Sequence, residues 1–157
     1  MQVVQIKFRG ISAVEVLVTI SVLAILSTIG FVSYSSFVSK NVLDKSAKSV
    51  MAFVEETRLQ SIASKNGERF GVHFEADGLT RFPGGTFVLS DPSNVLYPLD
   101  ADVSVSAINL ADSSSDVVFS RINGKASTSG VIELSLVADP SQKKQLRVEP
   151  TGLVFLQ

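Results

Sequence analysis

Apolar and polar positions along the chain fall into distinct regimes. Residues 1–10, MQVVQIKFRG, are short and end on the basic pair Lys7 and Arg9. From Val16 to Ser39 no charged residue occurs, and apolar side chains surround the helix axis instead of marking one face. As a helix these ~24 residues would span ~36 Å, enough to cross a ~30 Å hydrocarbon core. Between Asn41 and Lys65 the pattern narrows to a stripe. Leu43, Ala47, Val50, Met51, Val54 and Ile62 recur mostly at three- and four-residue steps, one face of an amphipathic helix. Asp44 and Lys48 stand in the favourable i, i+4 order, and Asn66-Gly67 behind Lys65 predicts the stop. One helix from Ile11 to about Lys65 is expected; a break at Ser35-Ser36 or Asn41 would make it two.

Beyond Arg69 the period changes to two. Arg69–Glu75 alternates, with Phe70, Val72 and Phe74 on one side, and Ala76-Asp77-Gly78 signals a turn into Thr80-Arg81-Phe82. Thr86–Ser90, Val103–Leu110, Val117–Ser120, Val131–Val137, Gln145–Val148 and Leu153–Leu156 are further expected strands. Turns at Asn123-Gly124, Asp139-Pro140-Ser141 and Thr151-Gly152 punctuate them. A helix followed by a meander of strands predicts an α+β fold with an antiparallel sheet. No internal repeat and no domain-separating linker is evident.

Composition narrows the function classes. The chain has 157 residues, 45% hydrophobic and 18% charged. The apolar excess sits in the N-terminal run, leaving ~120 residues of ordinary globular composition, enough for one core. Zero cysteines exclude a disulfide framework, a thiolate metal site and a cysteine nucleophile. A net charge of −1 gives no polyanion-binding footprint. With no Trp and a single His, the chain is not expected to be an enzyme.

Lys7 and Arg9 precede the apolar run and no base follows until Lys40, so the positive-inside rule puts the N-terminus in the cytoplasm and the globular part outside. A cleaved secretory signal would need a shorter apolar region and an A-x-A-like site. A plain anchor accounts for length and orientation but not for Glu15. That carboxylate sits among Val14, Val16 and Leu17, where burial in lipid costs up to ~3 kcal/mol unless it snorkels or is paired.

Arg9-Gly10 followed by Ile11-Ser12-Ala13-Val14-Glu15-Val16 resembles the class III signal of type IV prepilins and pseudopilins. The resemblance implies that a prepilin peptidase cuts after Gly10, that Ile11 is the N-methylated mature N-terminus, and that Glu15 is the family glutamate. A new α-amine at Ile11 would let Glu15 of one subunit neutralise the amine of a neighbour in low dielectric, setting register between stacked helices. The segments Val117–Gly124, Ile132-Glu133-Leu134, Leu146-Arg147-Val148 and Thr151-Gly152-Leu153-Val154 look like the C-terminal hairpins of pseudopilin H and FimT-like minor pilins. Glu56–Ala63 looks like their helix end.

The resemblance implies a leader at 1–10, a transmembrane and assembly helix at 11–39 and an extracytoplasmic pilin-like domain at 40–157. The partners would be other pilins or pseudopilins in a helical filament, the prepilin peptidase and an inner-membrane assembly platform. A filament follows when the same helix surface packs head-to-tail in a contact that does not close. Ser12, Thr19, Ser21, Ser27 and Thr28 are small enough to let helices approach closely. The alternatives are a FimT-like pilin in DNA uptake or adhesion, and a binding module on an uncleaved anchor.

Other candidate chemistry is sparse. His73 lies between Val72 and Phe74 and reads as an exposed strand residue, without a second His or Cys to build a metal site. No G-x-S-x-G elbow is present. Asp91, Asp100, Asp102, Asp112 and Asp116 fall between Phe82 and Ser120 with no base among them. No cofactor is expected; Asp100-Ala101-Asp102 offers two carboxylates to calcium, as in loops of some pseudopilins, but the spacing is not that of an EF-hand. Lys143, Lys144 and Arg147 form a small basic patch that DNA-binding FimT-like pilins would use. Removal of Lys7 and Arg9 leaves twelve basic residues against fifteen acidic, net −3, which argues against nucleic acid.

Overall fold

A computed structural model describes residue 10, residues 12–63 and residues 67–157; side chains at 28–36 lie outside the description. The chain divides into two compact units, one ending at Val38 and the other spanning Ser39–Gln157. Helix α1 runs over Ala13–Ile62, 50 residues without a break, so neither Ser35-Ser36 nor Asn41 divides it. Ile11, Lys65 and Asn66, at the expected ends of that helix, lie outside the described residues, while Gly67 beyond them has φ +75°.

Eight strands follow: β1 Phe70–Glu75, β2 Gly78–Pro83, β3 Val95–Pro98, β4 Val103–Leu110, β5 Asp116–Phe119, β6 Gly130–Leu136, β7 Lys143–Val148 and β8 Val154–Leu156. They form two antiparallel four-stranded sheets, β3-β2-β1-β5 and β4-β6-β7-β8, where one meander was expected. The chain leaves the first sheet after β3, starts the second with β4, returns through β5 to pair with β1, and then completes the second. The switch is invisible to period-two patterning, which gives strands but not partners.

Thr86–Ser90 is not a strand. Its residues form turns and irregular backbone, because Phe87 turns inward to stack on His73 and pack at a tilt against Phe82 while Val88 and Leu89 are left exposed. The strand is instead Val95–Pro98, whose Tyr97 packs on helix residue Phe53 with ring centroids 5.0 Å apart. The β1–β2 register brings Phe70 opposite Pro83 and Glu75 opposite Gly78, closing the expected turn at Ala76-Asp77.

Within Ser39–Gln157 the helix stripe Leu43, Ala47, Val50, Val54, Thr57 and Ser61 is buried. It shares one core with Val72, Phe74, Leu79, Val117 and Phe119 of the first sheet and Ile132, Leu134, Leu146 and Val148 of the second. Each such large side chain contributes ~1.5–3 kcal/mol by leaving water. The polar members of the stripe are satisfied: the Thr57 hydroxyl donates to the Phe53 carbonyl at 2.9 Å, and the Phe70 N–H donates to Ser61 Oγ at 2.8 Å, tying the helix end to β1.

A second joint fixes the tail to the helix. Arg58, its side chain 15% exposed, pairs with Glu55 and donates from Nε to the Gly124 carbonyl at 3.2 Å. Gly152, at φ +83°, lies so near that a Cβ there would come within 1.9 Å of the same Gly124 oxygen. Only glycine fits both the dihedral and the space. Helix, β5–β6 connection and β7–β8 turn meet at this point.

Candidate assembly surface

The N-terminal stretch of α1, residues 13–27, presents apolar side chains in every direction. Val14, Leu17, Val18, Ile20, Leu23, Ile25 and Leu26 are all more than half exposed. Its hydroxyls do not break that character, because they are spent on the helix's own carbonyls: Thr19 on Glu15 and Val16, Ser21 on Leu17, Ser27 on Leu23. Such back-bonding leaves small, internally satisfied side chains on the surface. Ser12 is exposed; the side chain of Thr28 lies outside the described residues.

Glu15 stands in the first turn, where the helix dipole favours an anion. It is exposed among the apolar residues, and no ion pair reaches it among the described residues. Gly10 is exposed, and a Cβ placed on it would meet nothing within 4 Å. Packing against the described residues therefore makes no demand for glycine there. Among the described residues no helix is long and apolar enough to cross a membrane; the uncharged run from Val16 to Ser39 passes through the undescribed side chains at 28–36.

On the globular unit, His73 is not the exposed residue expected. Its side chain is 20% exposed, stacked on Phe87 at 4.0 Å and 8°, with Nδ1 2.5 Å from Asp116 Oδ1 and Nε2 3.4 Å from Glu75 Oε1. The cross-strand pairs His73–Thr80 and His73–Asp116 place it in the middle of the first sheet, not at an edge, which sequence spacing did not reveal. Beside it runs an open groove of about 470 Å³ lined by Arg69, Asp112, Asp116, Ser120, Lys125 and Ser127. The Ser114 hydroxyl and N–H both donate to Asp112 and hold its carboxyl below the usual range.

Asp100 and Asp102 form a turn in which the Asp102 N–H donates to Asp100 Oδ1 at 3.1 Å. Among the described residues no group of three acidic, His or Cys side chains is placed to hold a metal. The basic patch is internally balanced: Lys143 pairs with Glu133 at 3.1 Å, Lys144 with Asp44 at 3.4 Å and Arg147 with Glu149 at 2.8 Å. Lys143, with help from Gln145, holds the Glu133 carboxyl below its usual range. Lys48 and then Lys144 do the same for Asp44.

No family model and no curated protein matches the sequence. Solved structures do match in shape. The type IV minor pilin FimU of Pseudomonas aeruginosa superposes with a TM-score of 0.57 at 11% identity, over 73% of this chain and 92% of that one. The minor pseudopilin EpsH of the Vibrio cholerae type 2 secretion system gives 0.53 at 14% identity, over 73% and 95%. The resemblance to pilins and pseudopilins thus has a counterpart in the fold. The chain has the α+β fold shared by a type IV minor pilin and a type 2 secretion minor pseudopilin.

Proposed function

We propose that this chain is a structural subunit, of the minor pilin or pseudopilin kind, of a type IV pilus or a type 2 secretion pseudopilus. The observation that carries the reading is residues 13–27 of α1, exposed and apolar all round, with one carboxylate, Glu15, that no ion pair reaches among the described residues. A surface of this kind is unfavourable in water and calls for lipid or other helices around it. The fold of Ser39–Gln157 supports the same reading.

In this account the precursor sits in the inner membrane with Lys7 and Arg9 in the cytoplasm. Prepilin peptidase cuts after Gly10, where no packing against the described residues requires glycine, in keeping with a residue read by the peptidase. Ile11 becomes the methylated mature N-terminus. Glu15 then neutralises the α-amine of an adjacent subunit, converting a penalty in lipid into a register-setting contact. An assembly platform packs the helices into a filament, and the work done is mechanical, not catalytic. The pairing of Lys143, Lys144 and Arg147 with carboxylates favours a structural role over DNA binding for that face.

The test is N-terminal sequencing of the protein extracted from membranes. The expected first residue is Ile11; retention of Met1 in cells that assemble filaments would remove the proposal. Glu15→Ala should leave membrane insertion unchanged and reduce recovery in sheared filaments at least tenfold, and wild-type recovery would eliminate the charge-pairing step.

A further inference from the structure

Each sheet has two edges, and three of the four are blunted along part of their length. On β5 the outward Val118 N–H and C=O are taken by Ser127 Oγ and the Ser127 N–H. On β4 the Val105 N–H is spent on the Ala76 carbonyl, and the ladder slips at Ser106. On β3 the Leu99 N–H bonds Asp77, so residues 95 and 97 face β2 and residues 96 and 98 face outward. Residue 98 is proline, which has no N–H to offer, and acidic Asp100 follows. Bulges, prolines and charges are how natural sheets blunt their edges.

β8 has none of these devices. Gln145 and Gln157 exchange both backbone hydrogen bonds, and the Glu149 N–H donates to the Leu153 carbonyl. With Arg147 opposite Phe155, residues 153, 155 and 157 therefore face β7. The N–H and C=O groups of Val154 and Leu156 face away from it, and no hydrogen bond reaches them among the described residues. The strand carries no charge, proline or bulge. Leu153 and Phe155 are 44% and 48% exposed beside this open edge.

We propose that β8 is a docking edge for an extended, uncharged segment of a partner protein, which adds as a fifth strand to β4-β6-β7-β8. Strand addition takes affinity from main-chain hydrogen bonds and selectivity from alternate side chains. The charge pattern selects the occupant. Arg147 is neutralised by Glu149 and Lys143 by Glu133 on the strands behind the edge, so a charged segment finds no counter-charge and loses hydration against Leu153 and Phe155. An aromatic or β-branched residue opposite Phe155 completes a favourable cross-strand pair. A second copy of this chain is disfavoured by area: two three-residue strands pairing symmetrically bury far less than the ~1,200 Å² of a stable dimer. This inference does not depend on filament assembly.

The probe is the synthetic peptide acetyl-TVTYTVT-amide, added to the full chain in detergent solution, with amide exchange read residue by residue by NMR. Val154 and Leu156 amides should exchange freely in the protein alone and slow at least tenfold with peptide. The same peptide with both valines replaced by glutamate should give less than a third of that effect. Val154→Pro removes one outward N–H while leaving every β7–β8 hydrogen bond possible, and should abolish the slowing at Leu156 while the Phe155 and Gln157 amides stay protected. No slowing at millimolar peptide overturns the proposal. So does protection already present in the protein alone, whether independent of concentration (the chain covers its own edge) or rising with it (a second copy does).

Discussion

The joint between helix and tail predicts a measurable asymmetry between two glycines. Gly67 and Gly152 both have left-handed backbones, φ +75° and +83°. An alanine in that region costs ~1–2 kcal/mol from its own Cβ. At Gly67 nothing among the described residues lies within 4 Å of the added carbon, so that strain is the effect expected. At Gly152 the carbon arrives 1.9 Å from the Gly124 oxygen, which is backbone and must move. That same oxygen accepts the Arg58 Nε hydrogen bond, and a bond to a charged donor contributes ~1.5–3 kcal/mol. Gly152→Ala should therefore cost ~2.5–5 kcal/mol against ~1–2 for Gly67→Ala. For a unit the size of Ser39–Gln157 this corresponds to Tm losses of ~10–20 °C and ~4–8 °C. Thermal unfolding of residues 39–157 followed by circular dichroism makes the comparison. Equal losses for the two variants would mean that the tail does not close against Gly124 and Arg58.

Other consequences are equally direct. Phe87→Ala removes the ring stacked on His73 and packed against Phe82 and should make residues 84–94 susceptible to limited proteolysis, with the rest of the globular unit still resistant; unchanged cleavage would show that the stack does not hold the segment. Glu133, Asp44, Asp112 and Asp139 have carboxyls held below their ordinary values of 4.5 and 3.8, chiefly by hydrogen bonds from Lys143, Lys48, Ser114 and Ser141. Because their folded values are depressed, the stability they contribute is present above pH ~4.5 and lost as pH falls further. Denaturant midpoints of residues 39–157 should drop between pH 5 and pH 3, and Glu133→Gln with Asp44→Asn should flatten that slope; an unchanged slope would refute the assignment.

The helix and most strands were legible because their burial follows strict periods. Leu43, Ala47, Val50 and Val54 step along one face, and Ile132, Leu134 and Leu136 alternate. Where a segment's partner decides its form, the pattern misled. Thr86–Ser90 has strand-like composition, yet Phe87 is drawn out of register by His73 and Phe82. Val95–Pro98 is short and ends in proline, but Phe53 gives Tyr97 a ring to pack on and so fixes a strand there. His73 alternates as a surface residue would, and only the return of β5 beside β1 brings Asp116 to it. The Gly10–Glu15 signature was plain in the sequence, since it depends on order along the chain. The open edge at β8 was not, because openness is a property of how strands pair.

The Arg58–Gly124–Gly152 joint also bears on folding kinetics. It links residues 66 positions apart through one hydrogen bond and brings in Gly152 from a further turn. Long-separation contacts form slowly, since the loop entropy is lost before the contact is gained. A ribosome delivers ~5–20 residues per second, so the helix end must wait several seconds for Gly152 to emerge. Folding of the globular unit is thereby deferred until Gly152 has been made, so the helix and the first sheet alone do not close it.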